Sequence, residues 1–195
     1  VPVQVPGLTS GVQAISAGGE QACAIVNGGA WCWGNNDYGQ LGNGSTASPN
    51  GPVQVSGLTS GVQSISSGFG QSDEAQSCAV VNGGVECWGF NNIGQLGNGS
   101  TTSSDVPVSF SGLSGAQTVG ATGLLSCALI GGGVQCAGDI LYLNFTDVAE
   151  PISGLTSGVQ ALSVGGQQTA CVIVNTLVEC WNNSTYPTIV PAWAP

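Results

Sequence analysis

The eight cysteines of this chain fall into four pairs, Cys23 with Cys32, Cys78 with Cys87, Cys127 with Cys136 and Cys171 with Cys180, each pair separated by eight residues. The midpoint of each pair is a two-residue turn: Asn27-Gly28, Asn82-Gly83, Gly131-Gly132 and Asn175-Thr176. The first three are strong hairpin signals, because a type I′ turn needs positive φ at both central positions, and Asn175-Thr176 is the weak member. Counting outward from such a turn, the cysteines arrive at a non-hydrogen-bonded pair, where opposed Cα atoms lie about 4.5 Å apart and a disulfide can span the gap. The spacing therefore predicts four cross-strand disulfides, each stapling its own hairpin. A zinc site fits poorly, since zinc prefers closer cysteine spacing and the chain has no His. Eight paired cysteines imply an oxidising compartment, so the expected location is extracellular or at a cell surface.

The same period runs through the rest of the chain. Four copies begin at Pro2, Pro52, Pro107 and Pro151, about 45 to 55 residues apart. Gly-Leu-Thr-Ser-Gly-Val-Gln occurs at Gly7 to Gln13, Gly57 to Gln63 and Gly154 to Gln160, with a worn version around Gly112 to Gln117. Each is followed by an alternating apolar stretch such as Ala14-Ile15-Ser16-Ala17, which reads as a strand. The 33 glycines, without a Gly-X-Y period, suit many tight turns between short strands. The predicted organisation is all-β, with four blade-like repeats at about 2–51, 52–106, 107–150 and 151–185 and an extended, proline-rich tail at 186–195.

Past its second cysteine, repeat one continues Cys32-Trp33-Gly34-Asn35-Asn36-Asp37-Tyr38-Gly39-Gln40-Leu41-Gly42, and repeat two continues Cys87-Trp88-Gly89-Phe90-Asn91-Asn92-Ile93-Gly94-Gln95-Leu96-Gly97. These segments resemble the repeat of the regulator of chromosome condensation family, whose blades carry Trp-Gly-x-Asn followed by Gly-Gln-Leu-Gly. The stretch from Ile15 to Ala24 resembles the family's other signature, except that its usual His is replaced by Gln21, and at corresponding places by Gln76, Leu125 and Thr169. The resemblance is strong to about Gly99 and weaker beyond it. Repeat three runs Cys136-Ala137-Gly138-Asp139, and repeat four leaves the pattern after Cys180-Trp181-Asn182-Asn183. It implies antiparallel β-propeller blades. Family members usually close a ring of seven, so four repeats imply a partial or open propeller. The family's founding activity, nucleotide exchange on a small GTPase with chromatin binding, conflicts with both compartment and charge.

The charge inventory excludes whole classes of function. Lys, Arg and His are absent, while ten acids remain and the formal net charge is −10. Average composition would supply roughly two dozen Lys and Arg in this length. Without them the chain cannot neutralise phosphates, so nucleic acid is not an expected partner. Polybasic attraction to anionic lipid fails for the same reason, and no run of 18 or more apolar residues is present, so membrane insertion is not expected. Starting at Val1 without a signal peptide, the sequence reads as a processed or excerpted segment of a larger precursor.

Without His, Lys or Arg, triads, Cys-His pairs and lysine nucleophiles are impossible, which leaves only carboxylates. Asp73 and Glu74 are the one adjacent pair, in a five-residue insertion, where a solvated loop tip is the first reading and a calcium ligand the second. No catalytic residue, metal or cofactor is expected, and the chain is read as not an enzyme. Asn-x-Ser/Thr sequons mark Asn43, Asn98, Asn144, Asn182 and Asn183 as glycosylation candidates. Asn43 and Asn98 recur in a Gly-Asn-Gly-Ser-Thr turn, so turn chemistry alone could account for them.

The leading functional expectation is a structural subunit of an extracellular or cell-surface assembly, such as a fibre or flagellar hair. Its partners would be other copies of the chain or other surface proteins, with covalent glycans. The alternative is a carbohydrate- or protein-binding propeller module that uses Tyr38, Phe90 and Tyr142 on loops. Charge alone generates one prediction. Acidification below about pH 4 brings this base-free chain near neutrality and promotes self-association, read as light scattering that rises between neutral pH and pH 3.

Overall fold

The computed structural model describes residues 1–70, 74–140, 145–166, 169–182 and 185–189. Among these residues there is no helix. Sixteen strands form four antiparallel, four-stranded sheets. The first holds β1 (Val12–Ala17), β2 (Gln21–Val26), β3 (Gly29–Gly34) and β4 (Val53–Gln54). The second holds β5 (Val62–Ser67), β6 (Gln76–Val81), β7 (Gly84–Gly89) and β8 (Ser104–Ser109). The third holds β9 (Ala116–Ala121), β10 (Leu125–Ile130), β11 (Gly133–Asp139) and β12 (Phe145–Pro151). The fourth holds β13 (Val159–Gly165), β14 (Thr169–Val174), β15 (Leu177–Asn182) and β16 (Thr185–Ile189). These sheets are blades 1 to 4. Strand order follows chain order within every blade, so each is a meander. The outermost strand arrives only after the long signature loop, and β4 comes from the residues that open the second sequence repeat. Residues 186–189 of the proline-rich tail lie in β16. Residues 190–195 lie outside the described residues.

The central hairpin of each blade is set by its turn. Asn27 and Gly28 sit at φ 50° and 79°, Asn82 and Gly83 at 51° and 80°, and Gly131 and Gly132 at 57° and 78°. Asn175 and Thr176 adopt the same turn, at 49° and 71°. The turns bring the cysteines directly opposite one another, in registers Cys23↔Cys32, Cys78↔Cys87, Cys127↔Cys136 and Cys171↔Cys180. All four pairs are bonded, with Cα–Cα separations of 4.0 to 4.1 Å. The turns also seat the next blade. The Gly28 carbonyl accepts from Val62 N at 2.9 Å, that of Gly83 from Ala116 N at 2.9 Å, and that of Gly132 from Val159 N at 2.8 Å. The repeated Gly-Leu-Thr-Ser-Gly-Val-Gln stretch is thus the connector that hooks one blade onto its predecessor's hairpin.

Because side chains alternate across a strand, each blade has two sides. One carries the cysteines, and the other carries the residue just after the second cysteine: Trp33, Trp88, Ala137 or Trp181. The three apolar clusters all form between blades, the cysteine side of one blade meeting the tryptophan side of the next. Cys23, Ile25, Ala30 and Cys32 pack on Ala79 and Trp88. Cys78, Val80, Val85 and Cys87 pack on Val119, Ala128 and Ala137. Cys127, Leu129, Val134 and Cys136 pack on Ala170, Val172 and Trp181.

Thr176 is a β-branched residue held at positive φ, a conformation that costs such residues on the order of 1–2 kcal/mol. Replacing it by glycine removes that cost. Thr176→Gly is expected to raise stability by about 1 kcal/mol in denaturant unfolding, whereas Gly28→Thr in blade 1 is expected to lower it by a similar amount.

Candidate functional site

The signature residues that invite a functional reading are buried, and their hydrogen bonds are internal. Asn36 is fully buried within the loop after β3. Its Nδ2 donates to the carbonyls of Ser45 at 2.8 Å and Ala47 at 2.9 Å, and its Oδ1 accepts from Leu41 N at 2.9 Å. Asn91 repeats the pattern after β7, donating to Ser100 O at 2.8 Å and Thr102 O at 2.9 Å and accepting from Leu96 N at 2.8 Å. Each Asn therefore ties a long excursion into a closed knot, which returns the chain to the outer edge of the blade.

The same loops join blades. The Gln40 carbonyl accepts from Trp88 Nε1 at 2.9 Å and from Ser77 Oγ at 3.0 Å, both in blade 2. Gly42 lies against that indole, and at φ 67° a Cβ added there would sit 2.8 Å from the ring, so the backbone approach requires glycine. At the next joint Ala137 stands where Trp88 does, and Gln95 Nε2 instead reaches across to Gly123 O at 3.0 Å. At the third joint Trp181 is buried, yet its Nε1 has no hydrogen-bond partner among the described residues.

At the position of the usual His, Gln21 Nε2 donates to Gly68 O at 3.1 Å. Gln76 Nε2 donates to Leu125 O and Ser126 Oγ, each at 3.3 Å. Both cross to the following blade, so these amides act as neutral inter-blade ties. Leu125 is buried and Thr169 is exposed.

The other sequence candidates are dispersed. Asp73, Asn144, Asn183 and Tyr142 lie outside the described residues, so the Asp73–Glu74 pair and two of the sequons are not placed. Glu74 is half-buried. No group of three or more acids or cysteines able to hold a metal occurs among the described residues. Asn43 and Asn98 are half-buried in the signature loops, and their Oδ1 atoms face Asn36 and Asn91 Nδ2 at 3.3 and 3.5 Å. Asn98 Oδ1 also accepts from Ser100 N at 3.2 Å. These bonds give the two asparagines a turn-forming role whether or not they carry glycans, while Asn182 is exposed. Tyr38 and Phe90 pack edge to face, their centroids 4.9 Å apart, and Phe90 is buried. Neither is the free aromatic platform that the sequence suggested.

Depressions on the surface formed by the described residues include two of note. The first, about 410 Å³, lies on the tryptophan side of blade 1, between Val12, Ile15, Ala24, Trp33 and the N-terminal residues Pro2 to Val5. Sequence patterning did not single it out, although repetition shows that Trp33 and Ile15 have buried or half-buried counterparts in blade 2. The second, about 500 Å³, is lined by Asn92, Ile93, Thr101, Phe145 and Asp147.

Four consecutive, hairpin-stapled, four-stranded sheets packed face to face define the class: blades of a β-propeller, in a partial array. The chain matches the regulator of chromosome condensation (RCC1) repeat at two places, residues 27–72 and 82–129, and its blades resemble those of that repeat family. Among solved structures it resembles human WBSCR16 at 20% identity with a TM-score of 0.75, over 92% of this chain and 52% of that one. It resembles Prp20p of Saccharomyces cerevisiae at 14% identity with a TM-score of 0.79, over 98% and 53%. The ectodomain of the Physcomitrella patens receptor kinase CR4 is similar at 23% identity with a TM-score of 0.53, over 100% and 47%. The chain thus spans about half the length of each, and the likeness is one of fold.

If Asn36 and Asn91 build the fold rather than bind a ligand, removing them costs stability. Asn36→Ala orphans the buried Leu41 amide and removes two part-buried bonds to the Ser45 and Ala47 carbonyls, and is expected to destabilise the chain by about 1–3 kcal/mol in denaturant unfolding. Asn43→Ala, which removes one longer bond, is expected to cost under about 1 kcal/mol.

Proposed function

We propose that this chain is a non-catalytic structural unit of an extracellular assembly, joined to its neighbours by the same blade-on-blade packing that holds it together. One observation carries the reading: the tryptophan side of blade 1 is built like those of the other blades but is covered only in part, along the edge where Pro2 to Val5 lie. Ile15 is 67% exposed and Trp33 is half-buried, whereas Trp88, the counterpart of Trp33, is 0% exposed beneath blade 1. An apolar blade side of this kind costs solubility unless something covers it. The four disulfides and the exclusively acidic charge suit an extracellular setting, where association must rest on apolar and hydrogen-bonding surfaces.

The test is the state of native material. Electron microscopy is expected to show this chain as repeating units of a larger body, and sedimentation of the purified chain is expected to show concentration-dependent association at neutral pH. A chain that stays monomeric over a wide concentration range overturns the reading.

A carbohydrate-binding role has one observation in its favour. Phe145 is half exposed beside Asn92, Thr101 and Asp147, an aromatic face flanked by amide, hydroxyl and carboxylate. On this second reading, glycan-array binding is expected and is lost on Phe145→Ala. An array that shows no binding removes it.

A further inference from the structure

We propose that Asn50 is a site of spontaneous deamidation, the one Asn-Gly pair of this chain that the fold leaves open to attack by the following glycine. The inference goes beyond the assembly reading above and does not depend on it.

The sequence holds five such pairs: Asn27-Gly28, Asn43-Gly44, Asn50-Gly51, Asn82-Gly83 and Asn98-Gly99. Their common chemistry is a ring closure. The glycine nitrogen gives up its proton to solvent and attacks the Asn Cγ, the new N–C bond forming as the Cγ–Nδ2 bond breaks and ammonia leaves. Water then opens the cyclic imide. Opening at the side-chain carbonyl gives aspartate, and opening at the main-chain carbonyl gives isoaspartate, whose backbone runs through Cβ and Cγ. One water replaces one ammonia, and nothing is oxidised or reduced. Glycine favours the closure because it has no Cβ to obstruct the approach. The fold governs the rate through the glycine N–H, since a donor committed to an acceptor must first be released.

In four of the pairs that N–H is committed. Gly28 N donates to Gln13 Oε1 at 2.6 Å, and Gly83 N donates to Gln63 Oε1 at 2.9 Å. Gly44 N donates to Asp105 O at 2.8 Å, and Gly99 N donates to Asp147 O at 2.7 Å. The asparagines are held as well. Asn27 N and Asn82 N donate to the carbonyls of Gly11 and Gly61, and the Oδ1 atoms of Asn43 and Asn98 accept within the signature loops. All four glycines sit in turns at positive φ.

Asn50-Gly51 differs on every count. Asn50 is exposed, and neither its side chain nor Gly51 N has a hydrogen-bond partner among the described residues. Gly51 is not at positive φ, and a Cβ placed on it would meet nothing within 4 Å. The physical reason lies in the residue before the pair. Val55, Phe110 and Ile152 occupy one place in their blades, each donating its amide to the third strand. Counting back from them, Pro49 corresponds to Ser104 and Thr146, Asn50 to Asp105 and Asp147, and Gly51 to Val106 and Val148. The amides of Val106 and Val148 donate to the hydroxyls of Ser104 and Thr146 at 3.4 and 3.3 Å, and those hydroxyls donate onward to the Val106 and Val148 carbonyls at 2.7 and 2.8 Å. Pro49 has no hydroxyl, so blade 1 lacks this clasp. The ladder follows suit, for β8 begins at Ser104 and β12 at Phe145, whereas β4 begins only at Val53. An aspartate at position 50 is the residue type that blades 2 and 3 already carry there, so the fold accommodates that product. It adds a further negative charge to a chain that has no base to offset it.

The folded chain is incubated in mildly alkaline buffer, then reduced, digested with chymotrypsin because trypsin finds no Lys or Arg, and mapped by mass spectrometry. Asn50 is expected to convert roughly tenfold or more faster than each of the other four asparagines, with a matching acidic band on isoelectric focusing. In the reduced, denatured chain all five pairs are expected to convert at similar rates. Pro49→Ser restores the missing hydroxyl and is expected to slow Asn50 roughly threefold or more in the folded chain, but not in the denatured one. Conversion of Asn50 that is no faster than that of the other four in the folded chain overturns the proposal. A folded-state rate that Pro49→Ser leaves unchanged overturns the role given to the absent clasp.

Discussion

Everything in this structure depends on two blades meeting. A lone four-stranded sheet has apolar residues on both sides and nothing to bury them against, so no blade has a core of its own. Each of the three apolar clusters is shared between neighbours. The disulfides of blades 1 to 3 lie inside these shared clusters, their cysteines fully buried, while that of blade 4 is half-buried. They close a hairpin covalently and at the same time present a flat, neutral surface to the next blade. The polar groups that cross the joints are also neutral: Gln21 to the Gly68 carbonyl, Ser64 to Thr118, and Ser66 to the Ala121 amide. A fold assembled from such contacts has no need of ion pairs, which is how it tolerates a chain without one basic side chain.

Much of this was legible before any coordinates. Cysteine spacing and turn chemistry are local and strongly directional, so the four hairpins and their staples could be read from the residues between Cys and Cys. The fourth hairpin shows the limit of that reading. Asn175-Thr176 is a poor type I′ sequence, yet it adopts the turn because the disulfide and the flanking ladder impose it. The signature Asn residues could be recognised as motif members but not assigned a task, because their partners lie nine and eleven residues away along an irregular loop. Phe90 reads as a loop aromatic in sequence, and only the fold shows it tucked against Tyr38.

The strand that completes each blade was the least legible element. β4 has only two residues, too few for alternation to reveal, and it follows a long excursion from β3. The sequence repeat begins at the proline that opens this strand, whereas the blade ends there. The offset between the unit of duplication and the unit of folding is invisible to pattern matching.

The three joints also differ in how firmly they are fastened. Trp88 is held to the Gln40 carbonyl, the second joint keeps the Gln95 bond to Gly123, and at the third the buried Trp181 nitrogen has no partner among the described residues. At the third joint, then, the packing of Ala170, Val172 and Trp181 on the cysteine side of blade 3 stands without the indole bond that fastens the first.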